Sequence, residues 1–373
     1  MEWNIPKITG QEATGWNVDR LVTVEIKTGG RPGRCIIFPL YEAAVKVLGN
    51  RPISLVAAEK LIERVKQGDA VVLMTGMGAM PFMPRGETDG PPGVASLARA
   101  LSYGMKALPL LVIPPRDFDA VCGAVRAAGL GILDYAEAKA TTTRCAVAIK
   151  FPYTGDNAKK AAKDIMDKYT PKAVASVEMF GPNKKGVKHF GTGLPVDNPS
   201  ETFPGVEHIF HEAAARGILT IGCLDVGNEM GAGTIEETVR KWVPYADVCR
   251  CPCGAGFACA VKSDIPFPAS VSNWAAYAIS AMLGYLLNKP DILQDASTER
   301  RILEATAMAG SADGCLGASV PSADGIYWEN QQGLVRLLRN IVESALSGFG
   351  IAGQLEKKAV SYTHLTLPTK RIV

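Results

Sequence analysis

The densest group of reactive side chains lies in a glycine-rich segment at residues 222–233. It places Asp225, Asn228 and Glu229 among four glycines. Carboxylate and amide oxygens suit a hard divalent cation or a substrate ammonium group, and carboxylates can also transfer protons. Glycines alone could instead serve a tight crossover. We predict a catalytic role for Asp225, Asn228 and Glu229, with Asp225 and Glu229 as candidate ligands of Mg²⁺ or Mn²⁺.

A second polar segment runs from Glu87 to Gly93 in the order Glu-Thr-Asp-Gly-Pro-Pro-Gly. Glu87 and Asp89 add two candidate catalytic carboxylates, and Thr88, Gly90 and Gly93 are predicted to bind the substrate. Backbone amides at a helix start favour an anion, and glycine lets the backbone approach a ligand closely. The alternative is an ordinary turn and helix cap stiffened by the prolines.

A third group follows residue 178. Glu178 stands at the end of a predicted strand, and Asn183, Lys184 and His189 come soon after it. A carboxylate near an amide, an ammonium group and an imidazole could bind an acidic substrate and move a proton. A solvated turn with a surface histidine would explain the same residues. We predict that Glu178 is catalytic and that Asn183, Lys184 and His189 bind the substrate.

Ser272 and Asn273 stand at the start of a long helical pattern. Ser272 fits the N-cap position, where a side-chain oxygen accepts a free backbone amide. That capping role leaves Asn273 unexplained. We predict that both residues contact the substrate.

Four cysteines cluster in the sequence, at Cys249, Cys251, Cys253 and Cys259. Such a run could hold zinc or an iron–sulfur cluster. However, residues 247–251 are predicted to form a strand, and the paired spacing of structural zinc sites is not repeated. Buried free cysteines commonly pack as small hydrophobic residues, so we predict free thiols here.

The elements that must position these residues alternate between short apolar runs and helical patterns. This alternation predicts an α/β fold with a largely parallel sheet flanked by helices in Rossmann-like layers, followed by a helical C-terminal part. Ligands of such sheets bind beyond the carboxyl ends of the strands. The predicted strands are residues 70–75, 108–113, 145–151, 173–178, 218–222 and 247–251. The predicted helices are residues 93–107, 117–128, 156–169, 205–216, 234–242, 272–287, 297–308 and 331–346.

Composition narrows the class of protein. The chain has 373 residues, of which 47% are hydrophobic and 21% charged, and a net charge of only +3. These values are typical of a globular protein without a nucleic-acid partner. With no bilayer-length apolar run and no secretory signal, we expect a cytoplasmic protein that is not bound to a membrane and keeps its nine cysteines reduced. A small amino acid is the expected partner, and a homo-oligomer is an open alternative to a monomer.

A nucleotide cofactor is not expected. Gly76-Met77-Gly78 is followed by Ala79 and Met80 rather than by a third glycine that opens a helix, as a dinucleotide fingerprint would require. We divide the chain into an N-terminal segment at residues 1–34, an α/β domain at residues 35–357 and a tail at residues 360–373. The tail begins like the in-frame translation of a sequencing adapter and is predicted to be non-native.

Taken together and in this order, the motifs resemble those of the D-glutamate cyclase family over about residues 35–325. The Glu-Thr-Asp-Gly-Pro-Pro-Gly segment, the Glu178 to Asn183 segment, the Asp225 loop and the Ser-Asn-Trp helix start match the family in register, and several motifs together are more specific than one glycine loop. Val226, Ala232 and Ala275 depart from the family pattern. The resemblance implies reversible dehydration of D-glutamate to 5-oxo-D-proline and water. The alternatives are a metal-dependent hydrolase or lyase acting on another small carboxylate, and a non-catalytic amino-acid sensor.

Overall fold

The computed structural model describes residues 9–27, 35–196 and 203–347. The predicted non-native tail at residues 360–373 lies outside these residues, as do parts of the N-terminal segment. The division of the chain into domains therefore stays a prediction.

The core is a parallel sheet of seven strands, which confirms the predicted α/β class. The strands are β1 (Ala70–Gly76), β2 (Leu108–Ile113), β3 (Gly131–Leu133), β4 (Cys145–Lys150), β5 (Ala173–Met179), β6 (Leu219–Leu224) and β7 (Ile265–Pro268). Strands β1, β2, β5 and β6 are buried along their whole length. Their near-continuous apolar sequences are typical of parallel strands covered on both faces.

One predicted strand is wrong. Residues 247–251 form bends rather than a strand, and the seventh strand is Ile265–Pro268 instead. Tyr245 adopts a φ of +67°, and the Phe257 amide donates to the Tyr245 carbonyl oxygen at 3.1 Å, which folds this segment back on itself. Strand β3 was not predicted because it is only three residues long.

The helices cover the two faces of the sheet. They are α1 (Gly10–Val22), α2 (Ile37–Val47), α3 (Ile53–Arg64), α4 (Pro91–Arg99), α5 (Phe118–Ala127), α6 (Tyr135–Ala140), α7 (Gly155–Tyr169), α8 (Glu207–Ala215), α9 (Glu236–Trp242), α10 (Ser272–Leu286), α11 (Ala296–Met308) and α12 (Trp328–Ser347). The predicted helix at 93–107 is instead divided between α4 and a π-helical turn at Ala100–Met105. A short hairpin of β8 (Ser322–Ala323) and β9 (Ile326–Tyr327) precedes α12. Among the described residues no helix is both long and apolar enough to cross a bilayer.

The strand order determines where a ligand can bind. The order across the sheet is β3-β4-β2-β1-β5-β6-β7. The chain therefore proceeds from β1 towards one edge and later returns to the other side of β1 with β5. In an open parallel sheet, such a switch in direction opens a crevice at the carboxyl ends of the two central strands. The loops after β1 and β5 border this crevice.

Candidate active site

Carboxylates from three neighbouring strands meet above the switch point. Asp89 lies in the loop after β1, Glu178 near the end of β5, and Asp225 directly after β6. Oxygens of Glu178, Asp225 and Glu229 lie within 4.8 Å of one another. Oxygens of Asp89, Asp225 and Asp324 lie equally close together, so these side chains converge at the carboxyl edge of the sheet. We call Glu87, Asp89, Glu178, Asp225, Glu229 and Asp324 the carboxylate cluster.

A bulge in β5 directs Glu178. Met74 pairs with Ser176, but Gly76 pairs with Met179, so β5 carries one residue more than β1 over this stretch. Glu178 has a φ of +45°, a left-handed conformation that is uncommon for residues other than glycine. Bulges of this kind redirect a side chain and often lie next to active sites. Its carboxylate accepts a hydrogen bond from the Ser272 hydroxyl.

Asp89 joins the β1 loop to the start of α10. Its carboxylate accepts the backbone amides of Ser272 at 3.2 Å, Asn273 at 3.1 Å and Gly90 at 2.9 Å. A negative charge at a helix N-terminus is stabilised by free amides and by the helix dipole. Gly90 has a φ of +102°, and an added Cβ would lie 2.1 Å from Thr75 Oγ1. Only glycine allows the loop to approach this closely.

The start of α4 differs from the expected anion-binding site. The Gly90 and Gly93 amides both donate to Asn273 Oδ1, at 2.9 and 2.6 Å. The intervening Pro91 and Pro92 have no amide hydrogen to offer. These two glycine amides are therefore already paired within the protein. Asn273 thus connects the start of α10 to the start of α4. The sequence alone did not reveal this role.

Glu229 holds the Asp225 loop in shape. Its carboxylate accepts the backbone amides of Asp225 at 3.3 Å, Val226 at 3.1 Å and Gly227 at 2.6 Å. The side chain is fully buried. These contacts give Glu229 a structural function in positioning Asp225, and its own catalytic role stays a prediction.

The Glu229→Gln variant is expected to lose stability. A glutamine would turn an amide group towards three backbone N–H donors and leave at least one of them without an acceptor, which costs about 1–3 kcal/mol. Urea unfolding of the variant measures this loss. Glu304→Gln is the matched control, because Glu304 contacts Arg300 in an exposed pair on α11. Equal unfolding free energies for Glu229→Gln and the parent would contradict the structural function.

Two members of the site were not predicted. Asp324 and Lys27 both reach the cluster, where the Lys27 ammonium forms ion pairs with Asp225 and Asp324. Asp324 and Gly325 have φ values of +55° and +76° and connect β8 to β9. An Asp-Gly pair between short strands is a strong hairpin signal, so the sequence does contain a sign of this turn. Lys27 has no comparable signal.

The carboxylates of the cluster are buried and repel one another. Burial, with repulsion from neighbouring carboxylates, raises the pKa of Glu87, Asp89 and Glu178 well above the usual values. Burial also raises the pKa of Asp225 to about 6 and that of Asp324 to about 7, although Lys27 opposes both shifts. Burial of the Lys27 ammonium lowers its pKa, but the two aspartates outweigh that effect and raise it. The site therefore holds carboxyl groups that can exchange protons near neutral pH.

Stability is expected to fall as the pH rises. In the unfolded chain aspartates ionise near pH 4, whereas Asp225 and Asp324 keep their protons to about pH 6 and 7 in the folded protein. The folded state thus binds more protons between these limits, and its free energy of unfolding decreases with increasing pH. Melting temperatures measured from about pH 5 to about pH 8 test this sign.

The Asp324→Asn variant isolates the cluster's share of this effect. Asp117 and Glu299 are buried elsewhere, with pKa values raised to about 7 by burial, and act in the same direction. The variant keeps those two groups and tolerates the left-handed backbone, because asparagine adopts it readily. Its melting temperature should depend less steeply on pH than that of the parent. An equal or steeper dependence would show that the cluster does not titrate as described.

The other predicted substrate-binding residues lie elsewhere. Lys184 is exposed and pairs with Glu236 at 3.1 Å. Asn183 Oδ1 accepts the amides of Lys185 and Val187, which shapes its own turn. The His189 ring lies among cysteine thiols rather than among the carboxylates. Substrate binding by these three residues stays a prediction.

Several buried polar atoms beside the cluster have no hydrogen-bond partner among the described residues. They are Thr75 Oγ1, Thr88 Oγ1, Asn228 Oδ1 and Asn273 Nδ2. Buried polar atoms are nearly always paired. These atoms are therefore the groups best placed to hydrogen-bond a small polar ligand. Asn228 uses its other side-chain atom, Nδ2, to donate to the His189 carbonyl oxygen at 2.9 Å.

Two overlapping sets of carboxylates have a spacing that could hold a cation. The first set is Asp89, Asp225 and Asp324. The second set is Glu178, Asp225 and Glu229. Within each set the oxygens lie within 4.8 Å of one another. Oxygen ligands suit Mg²⁺ or Mn²⁺. The first set already holds the Lys27 ammonium, and Glu229 in the second accepts three backbone amides. Asp225 belongs to both sets and is itself paired with Lys27, whereas the Glu178 carboxylate accepts the uncharged Ser272 hydroxyl.

Comparison with known proteins agrees with the motifs. The family described as D-glutamate cyclase-like, C-terminal, matches residues 47–339. The human protein named "D-glutamate cyclase, mitochondrial" is 27% identical over 252 residues, which cover 64% of this chain. The match spans only 37% of the length of that relative.

Proposed function

The chain belongs to the D-glutamate cyclase-like family, and on this premise we propose that it is a lyase that interconverts D-glutamate with 5-oxo-D-proline and water. The observation that carries the proposal is the carboxylate cluster, in which Asp225 and Asp324 have pKa values raised by burial to about 6 and 7. Carboxyl groups with pKa values near the working pH are the most effective proton carriers.

The proton balance of the reaction explains why such a cluster is useful. Ring closure forms a bond between the substrate nitrogen and its γ-carbon, and one γ-oxygen leaves as water. The nitrogen begins as an ammonium group and ends as a lactam N–H, so it loses two protons. The departing oxygen gains two. The net charge of the substrate does not change, so the protein needs only to move protons from the nitrogen to the oxygen.

We assign the two directions of proton transfer to different parts of the cluster. Asp225, the carboxylate beside the Lys27 ammonium, would accept a proton from the substrate nitrogen. Glu178 or Glu87, whose pKa values are raised well above the usual range by burial, would donate a proton to the departing oxygen. In acid–base catalysis, neighbouring groups with different pKa values divide these roles, so that one donates a proton and the other accepts one.

Positioning of the substrate would supply a further share of the rate. Well-oriented intramolecular reactions reach effective molarities of about 10⁵ M or more. The unpaired Thr75, Thr88 and Asn273 atoms could hydrogen-bond the substrate carboxylates and fold the chain so that its nitrogen approaches the γ-carbon. The cluster would attract the ammonium group.

A metal-dependent hydrolase or lyase of another small carboxylate is the second candidate. The carboxylate set that Glu178 and Asp225 share supports it, because a divalent cation held there would polarise a substrate carboxyl group. A non-catalytic amino-acid sensor could use the same groups for binding alone.

Incubation with both enantiomers of glutamate and of 5-oxoproline distinguishes these functions. Each compound is supplied with and without added Mg²⁺ or Mn²⁺, and products are separated by chiral chromatography. We expect interconversion of the D-enantiomers. Strict dependence of that interconversion on added cation would make the cyclase metal-dependent, whereas neither turnover nor binding of any of the four compounds would favour a hydrolase or lyase of another small carboxylate. Thermal stabilisation by D-glutamate without any product would favour the sensor and refute the cyclase.

A further inference from the structure

A second group of reactive side chains lies outside the carboxylate cluster. It consists of His189, Cys249, Cys251 and Cys253, whose ligand atoms all lie within 4.8 Å of one another. Three residues come from the loop between α9 and β7, and the histidine comes from the segment after β5. Cys259, the fourth cysteine of the sequence run, is not a member. Its sulfur accepts the Val261 amide at 3.3 Å.

The distances approach those of a tetrahedron around one metal ion. Cys249 Sγ lies 3.2 Å from Cys253 Sγ and 3.5 Å from Cys251 Sγ. His189 Nε2 lies 3.2 Å from Cys251 Sγ and 3.7 Å from Cys253 Sγ. Bonds of about 2.3 Å to sulfur and about 2.0 Å to nitrogen imply edges of about 3.8 Å and 3.5 Å in a zinc site. The four atoms need to move only slightly to reach these values.

The histidine is oriented for metal binding. His189 is fully buried, and its Nδ1 lies 3.1 Å from the Val187 carbonyl oxygen. A carbonyl oxygen only accepts hydrogen bonds, so Nδ1 carries the proton and Nε2 presents its lone pair to the sulfurs. Ligating histidines commonly use their second nitrogen in this way. Asn183 Nδ2 adds a donor 3.4 Å from Cys253 Sγ.

The loop that carries the cysteines has no regular secondary structure. It contains no helix or strand between α9 and β7, and its turns use positive φ values at Tyr245, Gly254 and Gly256. The Arg240 guanidinium group contacts the carbonyl oxygens of three of its residues. A bound metal would give such a loop a rigid centre.

We propose that His189, Cys249, Cys251 and Cys253 form a structural Zn²⁺ site. Three thiolates and one imidazole are ligands that zinc prefers, and four protein ligands leave no open position for catalysis. The prediction of free thiols rested partly on a strand at residues 247–251, which the structure does not contain. On a strand these three cysteines would share one face but lie about 7 Å apart along it, whereas the bends of this loop bring all three sulfurs within 4.8 Å of one another.

The site lies behind the Asp225 loop. The His189 carbonyl oxygen accepts Asn228 Nδ2 at 2.9 Å, and the Gly227 carbonyl oxygen accepts the Cys259 amide at 2.9 Å. Zinc would therefore join the two segments that support the residues between Asp225 and Glu229. This inference does not depend on which reaction the carboxylate cluster catalyses.

Metal analysis of the full-length chain tests the proposal. The protein is purified under reducing conditions without a metal-affinity step, and its zinc and iron contents are measured by mass spectrometry. We expect one zinc per chain. The Cys251→Ser and Cys253→Ser variants should lose nearly all of it, whereas Cys35→Ser, which changes an exposed thiol outside the cluster, should retain it.

Cobalt substitution of the unmutated protein provides a test that does not depend on the folding of the variants. Bound Co²⁺ should produce the thiolate charge-transfer absorption and intense visible bands of a tetrahedral site, and added Zn²⁺ should abolish them. Chelation should lower the melting temperature, and Zn²⁺ should restore it. Stoichiometric iron, or a reduced protein that binds neither Zn²⁺ nor Co²⁺ tetrahedrally, would overturn the proposal.

Discussion

Replacement of Asp225 by asparagine is expected to slow the interconversion of D-glutamate and 5-oxo-D-proline by about 10²- to 10⁴-fold, the usual effect of losing a positioned proton-transfer group. The change keeps the size of the side chain but removes the charge that would accept a proton from the substrate nitrogen. Asp225 is also the carboxylate shared by both possible cation sites. Steady-state turnover of both substrates at saturating concentration measures the effect.

A matched control separates catalysis from stability. Asp264→Asn makes the same chemical change at the opposite edge of the sheet, where the Asp264 carboxylate accepts the Thr220 amide and hydroxyl at 2.8 and 2.9 Å. That variant should lose stability while keeping its turnover per folded molecule. Both melting temperature and turnover are therefore measured on the same preparations. Near-parental rates in a folded Asp225→Asn protein would remove Asp225 from the catalytic centre.

Replacement of Lys27 by methionine should move the acidic limb of the rate profile to higher pH. Without the ammonium group, the carboxylates of Asp225 and Asp324 would face each other without a counter-charge, and the pKa of each would rise further. Each unit of that rise lowers the ionised fraction below the pKa about tenfold. We expect a loss of at least about tenfold at pH 7, with partial recovery at more alkaline pH.

Lys27→Arg is the control for this prediction, because it keeps the positive charge. Its acidic limb should stay close to that of the parent, even if the geometry of the larger guanidinium group lowers the maximal rate. Rate profiles of the three proteins over the same pH range make the comparison. A Lys27→Met profile that is uniformly lower but not displaced would mean that Lys27 supports the fold without setting the protonation of Asp225.

The sequence alone was sufficient to predict a parallel sheet and the edge at which the loops after its strands meet. Alternating apolar runs and helical patterns predict parallel strands, and parallel strands place their following loops at one edge. Glu87, Asp89, Glu178 and Asp225 each follow or end a strand that was predicted, with small errors at its ends. Their convergence follows from strand polarity, a local property that a single sequence can reveal.

The failures of prediction share a different cause. Residues 247–251 have the alternation of a strand, yet turns and contacts with distant segments bend them into a loop. The same bend brings Cys249, Cys251 and Cys253 to His189. Side chains alternate between two faces only where the backbone is extended. Nothing in the local sequence requires residues 247–251 to be extended.

What only the tertiary structure decided is which distant groups complete the site. Asp324 reaches the cluster on the β8–β9 hairpin before α12, and Lys27 reaches it from the segment that follows α1. Glu229, which the sequence shows only as another carboxylate, is revealed by three backbone contacts as the support of its loop. Residue type and local spacing determine which groups are available for chemistry. Packing between remote segments determines their partners and, through burial and nearby charge, their protonation.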